Sequence, residues 1–108
     1  MEYRRPFVEP GEGRRPTLTW PRQIPIGGEP ADVHAIATEY ADWLATSDVP
    51  KLFLKAEPGG ILSNDADLNV VRRFPAQTEV TVKGVHFVQE DSPDEIGRAV
   101  ADWMKTLG

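Results

Sequence analysis

From residue 51 onward the sequence reads strand, helix, strand, helix, and this order constrains the fold more than any other feature. Lys51-Leu52-Phe53-Leu54-Lys55-Ala56 is a short apolar run without clean alternation, the pattern of a strand covered on both faces. Glu57-Pro58-Gly59-Gly60 ends it. Residues 63–74 read as a helix, with Ser63 or Asp65 as cap and Leu68, Val71 and Phe74 turned inward. Residues 78–83 alternate, Val80 and Val82 against Thr81 and Lys83, and predict a second strand. Ser92, Pro93 and Glu95 then spell a capping box for a last helix, whose Ile96, Ala99, Val100, Trp103 and Leu107 form one apolar stripe. Two strands joined by a helical crossover pair in parallel with a right-handed connection. Yet parallel sheets are normally covered on both faces, and a sheet of two strands has an open template at each edge. The order therefore predicts an α/β fold with an incomplete sheet, closer to the end of a larger domain than to a whole one.

The first thirty residues are of another kind. Six of the ten prolines lie at positions 6, 10, 16, 21, 25 and 30, with glycines at 11, 13, 27 and 28. Proline fixes φ and removes a donor, so the stretch is extended or turned, with at most short helical pieces. It carries the apolar anchors Phe7, Leu18, Trp20, Ile24 and Ile26, which a flexible linker does not need, and is expected to pack against something. A helix follows over residues 30–46, with Val33, Ile36, Ala37, Tyr40 and Leu44 on one face and Trp43 beside it. The arginine pairs Arg4–Arg5, Arg14–Arg15 and Arg72–Arg73 read as solvated surface, because the net charge of −5 argues against nucleic acid or an anionic membrane as partner. The absence of cysteine excludes disulfides, thiolate metal sites and cysteine catalysis. No apolar run approaches a membrane span, and the N-terminus lacks the apolar centre of a signal peptide. A soluble, cytoplasmic protein is the expectation, with a periplasmic location left open.

His86 stands out as a candidate for chemistry. It follows the second strand in V-K-G-V-H-F-V-Q-E-D-S-P-D-E-I-G, two residues after Gly84 and flanked by Val85, Phe87 and Val88. A histidine on a loop between a last strand and a last helix suits a general base, because imidazole takes and returns a proton near neutrality. A histidine merely bonded within its loop is the plainer reading. Glu90, Asp91, Asp94 and Glu95 are better explained by the positive end of a helix dipole than by a cation, and no metal site is expected. His34 falls off the apolar stripe of its helix, and Asp65 and Asp67 read as caps. Trp20, Trp43 and Trp103 read as core anchors, although Trp20, on no regular element, could line a cavity. A base needs a nucleophile, and no G-x-S-x-G elbow, no aspartate version of it and no phosphate-binding glycine loop occurs.

Three long segments carry a family resemblance: R-R-P-T-L-T-W-P-R-Q-I-P-I-G-G-E-P-A-D-V, P-K-L-F-L-K-A-E-P-G, and the segment around His86. In this order they closely resemble the C-terminal part of haloalkane dehalogenases, α/β-hydrolases with a helical cap, and they are also similar to Renilla-type luciferases. The resemblance covers essentially the whole chain. It implies a hydrolase that displaces halide with an aspartate, forms an alkyl ester and hydrolyses it with water activated by a histidine, without metal or organic cofactor. It implies that residues 1–48 are the end of the cap and its return to the core, and residues 49–108 the last strand-helix-strand-helix part of the core. His86 matches the catalytic histidine. Trp20, Pro21 and Ile24 match cap positions at the substrate cavity or its mouth, and Ile61 and Phe87 match pocket-side positions. The family's nucleophile, oxyanion hole and halide donors match nothing here. Its acid would follow an earlier strand; at the other place where hydrolases of this fold carry the acid this chain has Gly59, and Glu57, in A-E-P-G, lies two residues before it.

The expectation is a C-terminal fragment that supplies His86 and part of a pocket for small halogenated aliphatic substrates, and that is inactive alone. An alternative is a non-catalytic module that docks on a separate N-terminal half, on another protein or on a second copy through its open sheet edges. A fragment of a luciferase-type oxygenase is a further one.

Overall fold

The strand-helix-strand order folds as it predicts. The computed structural model describes residues 2–61 and 63–108. Strands β1 (Lys51–Pro58) and β2 (Gln77–Gly84) form a two-stranded parallel sheet, in register from Lys51 opposite Gln77 to Pro58 opposite Gly84. Both strands run slightly past the expected 51–56 and 78–83. The Lys51 ammonium fastens their N-terminal ends, donating to the carbonyls of Ser47 at 2.6 Å, Val49 at 2.9 Å and Pro75 at 3.1 Å.

By its contacts the chain divides into two compact units, Met1–Asp42 and Trp43–Gly108. In the first, the proline-rich stretch winds into short 3₁₀ turns (Glu2–Phe7, Glu12–Arg14, Pro21–Gln23) around the short helix α1 (Arg15–Thr19). Arg14 is more than solvated surface: it donates to the carbonyls of Phe7 at 2.9 Å and Val8 at 2.6 Å. Gly27 and Gly28, with φ of 65° and 87°, turn the chain between Ile26 and Glu29, which pair as an isolated antiparallel bridge. Helix α2 (Ala31–Thr46) starts directly after Pro30. The anchors expected to pack are mostly exposed: Trp20 is 80% and Ile26 79% accessible, and on α2 Ile36 and Tyr40 are 61% and 66% accessible. The reading of the tryptophans as core anchors is corrected with them, since Trp43 is also exposed and Trp103 only half-buried.

In the second unit the crossover helix is shorter than residues 63–74. Helix α3 spans Asp65–Val71, and its cap is Asn64 rather than Ser63 or Asp65. The Asn64 side chain accepts the Asp67 N–H at 2.9 Å and donates to the Asp67 carboxylate at 2.6 Å. Past Val71 the chain tightens into i→i+3 bonds, Arg73 to Val70 and Phe74 to Val71, ahead of Pro75, which disfavours helical geometry at the residue before it. Arg72 forks onto Glu79 of β2 through two bonds of 2.8 Å.

The last helix, α5 (Pro93–Lys105), packs against both strands, but the capping box does not form. Ser92 is 7% accessible and its hydroxyl donates to the Lys83 carbonyl at 2.5 Å, while the Glu95 carboxylate accepts the Lys83 N–H at 3.3 Å. The two residues that cap helices in sequence instead fasten the helix to the end of β2. A one-turn helix, α4 (Val88–Asp91), occupies what reads in sequence as loop.

Among the described residues the buried apolar side chains are Leu68 (4% accessible) and Val82 (2%). β1 is half-buried from Lys51 to Ala56, not covered on both faces. On α5, Ile96, Ala99 and Trp103 are half-buried, whereas Val100 and Leu107 of the same stripe are exposed. Two strands do not present enough sheet for these faces to cover one another.

Candidate functional site

His86 sits in the turn between β2 and α4, and its position follows from the two strand ends. Beyond β1 the chain turns at Gly59, whose φ is 84° and whose N–H donates to the Gly84 carbonyl at 3.0 Å. A Cβ at Gly60 would meet the His86 Cα at 3.2 Å and its backbone nitrogen at 3.3 Å, so the two turns lie in direct backbone contact. On the other side, the Asp91 carboxylate accepts the Val85 N–H at 2.9 Å. The imidazole lies edge-on to Phe87, with ring centroids 4.7 Å apart and planes at 66°.

A cavity of about 290 Å³ opens beside this turn, lined by Phe53, Leu54, Ala56, Gly60, Ile61, Val85, His86 and Val88. Apart from the imidazole its wall is apolar side chain and glycine, the composition of a pocket for an uncharged, largely apolar ligand. Among the described residues the His86 ring has no hydrogen-bond partner. No carboxylate of the described chain orients it.

Of the residues singled out in sequence, Ile61 shares this cavity wall with His86, and Phe87 touches the imidazole without lining the cavity. Trp20, Pro21 and Ile24 belong to the first unit, where all three are exposed. Glu57 does not share the cavity. It lines a separate hollow of about 340 Å³ with Lys55, Ala56, Ser63 and Asp65. His34 is exposed on α2. No cluster of three potential metal ligands exists among the described residues, and none of their helices is long and apolar enough to cross a membrane. Sequence reasoning missed Phe53, Leu54, Ala56, Gly60, Val85 and Val88 as cavity wall. For Leu54 and Ala56 the alternation of β1 was the available signal, obscured by the apolar run that also brings Phe53 to the wall.

The chain is 59% identical over 105 residues to a haloalkane dehalogenase of Sphingobium indicum, covering 97% of this chain and 35% of that protein. It is 53% identical over 107 residues to a haloalkane dehalogenase of Mycolicibacterium smegmatis, covering 99% of this chain and 34% of that protein. The crystal structure of the haloalkane dehalogenase DbeA from Bradyrhizobium elkani superposes with a TM-score of 0.78 at 40% identity, over 96% of this chain and 36% of that one. Over that third of their length, the chain matches the haloalkane dehalogenases in sequence and in fold. No family model matches it. A coelenterazine h 2-monooxygenase of Renilla reniformis is also similar, 44% identical over 108 residues, covering 97% of this chain and 34% of that protein. The dehalogenase family supplies the fold class as well: a parallel strand pair with its helices is part of an α/β-hydrolase fold. The chain spans about a third of the length of the curated dehalogenases it matches.

Proposed function

We propose that this chain is the base-bearing C-terminal third of a haloalkane dehalogenase, with His86 as the general base. The observation that carries the reading is the placement of His86: an imidazole free of hydrogen bonds to the described residues, on the turn after β2, in the wall of an apolar cavity. A carboxylate outside this chain displaces halide from a primary or secondary carbon and is left as an alkyl ester. His86 takes a proton from water as the water adds to the ester carbonyl. The C–O bond from carbonyl carbon to alkoxy oxygen then breaks, the alcohol leaves and the carboxylate is restored. The balance is haloalkane plus water to alcohol, halide and a proton, which His86 releases to solvent. The reaction draws on no metal and no organic cofactor.

In this reading residues 1–48 are the end of a cap, with Trp20, Pro21 and Ile24 toward the substrate, and residues 49–108 are core. Their exposed apolar side chains suit a protein in which a further segment covers them. The orienting acid and the halide donors come from that segment, so the chain alone is inactive. The test is halide release from a bromoalkane by the purified chain, alone and mixed with the N-terminal two thirds of a related dehalogenase. Release only in the mixture, abolished by His86→Ala, is the expected result. Release by the chain alone that disappears in His86→Ala would overturn the inactivity, and release unaffected by His86→Ala in either arm would overturn the role of the base.

Two other readings meet the same experiment. A docking module without catalysis gives binding to the added segment and no halide in any arm. An oxygenase parent is favoured only by the 44% match, which is weaker than the 53% and 59% matches to dehalogenases, and it predicts light from coelenterazine in place of halide.

A further inference from the structure

We propose that Asp91 is the positioning residue of His86, an inference that rests on the reading of His86 as the base. The Asp91 carboxylate accepts the Val85 N–H at 2.9 Å and so closes a loop from Val85 to Asp91, with His86 one residue from the closure. A bond to an ionised acceptor is among the stronger backbone restraints a side chain offers. The chain inside the loop is wound into a single turn, with the Glu90 N–H on the Phe87 carbonyl at 2.8 Å and the Ser92 N–H on the Val88 carbonyl at 2.9 Å. Its base is held to β2 by Ser92 and Glu95 on Lys83, at 2.5 Å and 3.3 Å.

Gly84 provides the clearance for this closure. A Cβ there would stand 3.0 Å from Asp91 Oδ2 and 3.1 Å from Asp91 Cβ, so a side chain at position 84 would crowd the carboxylate. Gly60 provides the opposite wall: a Cβ added there would stand 3.2 Å from the His86 Cα. With no hydrogen bond from the described residues to its ring, the imidazole is placed by its backbone, and Asp91 fixes that backbone against Gly60. The role differs from that of an orienting acid on the ring: Asp91 acts one residue upstream, on the main chain.

The test uses the isotope-labelled 108-residue chain and two nuclear magnetic resonance readouts. One is amide exchange at Val85; the other is cross-relaxation between the α protons of His86 and Gly60. In Asp91→Ala, Val85 exchanges about tenfold faster or more and the His86–Gly60 contact weakens, while amides of β1 and β2 keep their protection. Asp91→Asn, which keeps an acceptor oxygen at the same reach, restores both readouts. A purely structural role in α4 would leave the His86–Gly60 contact where it is. Unchanged Val85 exchange in Asp91→Ala, or equal losses in Asp91→Asn and Asp91→Ala, overturns the proposal. Should Asp91→Ala lose strand protection as well, Asp91→Asn decides: Val85 protection and the His86–Gly60 contact kept there support the proposal, and their loss with the strand amides still protected overturns it. No readout depends on dehalogenation, so failure here leaves the role of His86 to the halide-release experiment.

Discussion

The two units of this chain spend their apolar residues differently. Met1–Asp42 is held by bonds between near neighbours: Arg14 on the carbonyls of Phe7 and Val8, the Ile26–Glu29 bridge, and the turns of α1 and α2. Its large apolar side chains Trp20, Ile24, Ile26, Ile36 and Tyr40 are more than half accessible. Trp43–Gly108 joins residues far apart in sequence, pairing β1 with β2 and setting the Lys51 ammonium on the Pro75 carbonyl. The buried apolar side chains Leu68 and Val82 are found there. Turn chemistry needs only local sequence and survives without a core. Burial needs surface on both sides, and two strands supply one modest patch of it.

The widest gap between the units is therefore expected at their apolar positions. Leu68→Ala removes a side chain that is 4% accessible and costs about 2–5 kcal/mol, read as lost amide protection across β1 and β2. Ile36→Ala removes a larger share of exposed surface on α2 and changes stability by no more than about 0.5 kcal/mol. Equal effects at the two positions would show that the first unit buries its apolar face after all, and would break the comparison.

The same distinction decides what was legible in the sequence. Alternation at Val80 and Val82, the apolar run at 51–56 and the crossover between them gave the parallel pair, because strand order and handedness are local rules with few solutions. Prolines 6 to 30 predicted turns and short helical pieces for the same reason. Burial was misjudged wherever it depended on a partner: β1 read as doubly covered, and the tryptophans read as core. At the site, His86 and Ile61 were legible through their segments, and Gly60 and Asp91 were not. Their roles are a backbone approach and a bond closed across six residues, neither of which leaves a periodic signal. Asp91 was also hidden among Glu90, Asp94 and Glu95, where the helix dipole accounts for acids in general and for none in particular.

Ser92 offers a sharper cut, because sequence and structure give it different jobs. As a helix cap its hydroxyl would accept an N–H, and aspartate would replace it well. In the structure it donates to the Lys83 carbonyl, which aspartate as an anion cannot do. Ser92→Ala is expected to cost about 1–2 kcal/mol, and Ser92→Asp at least as much, by chemical denaturation or amide exchange in β2. Rescue by aspartate would restore the capping box. The counterpart in the first unit is Thr38, whose hydroxyl bonds back to the His34 carbonyl within α2. Thr38→Ala is expected to be neutral or slightly stabilising, because such a bond adds little to a helix and alanine suits one better.

The smallest effect belongs to the ion pairs, and it separates the units by pH. The bidentate hydrogen bond from Arg72 holds the Glu79 carboxyl below the usual carboxylate range, opposed by partial burial. A carboxylate whose folded pKa is depressed stabilises the fold above its unfolded pKa, near 4.3 for glutamate, and loses that contribution as pH falls through the folded value. Unfolding measured at neutral pH should thus separate the unmodified chain from Glu79→Gln, and the gap should close in acid, below about pH 4. The pair is 45% and 27% accessible, so salt should narrow the gap even at neutral pH. Glu12 and Arg15 of the first unit also pair, but at 79% and 66% accessibility and only three residues apart on one turn. Glu12→Gln is expected to leave stability unchanged, because water competes for both charges and the pair joins nothing that the turn does not already hold. A gap that persisted for Glu79→Gln in acid would mean that the side chain acts there by packing on β2. The contrast would then rest on the apolar residues alone.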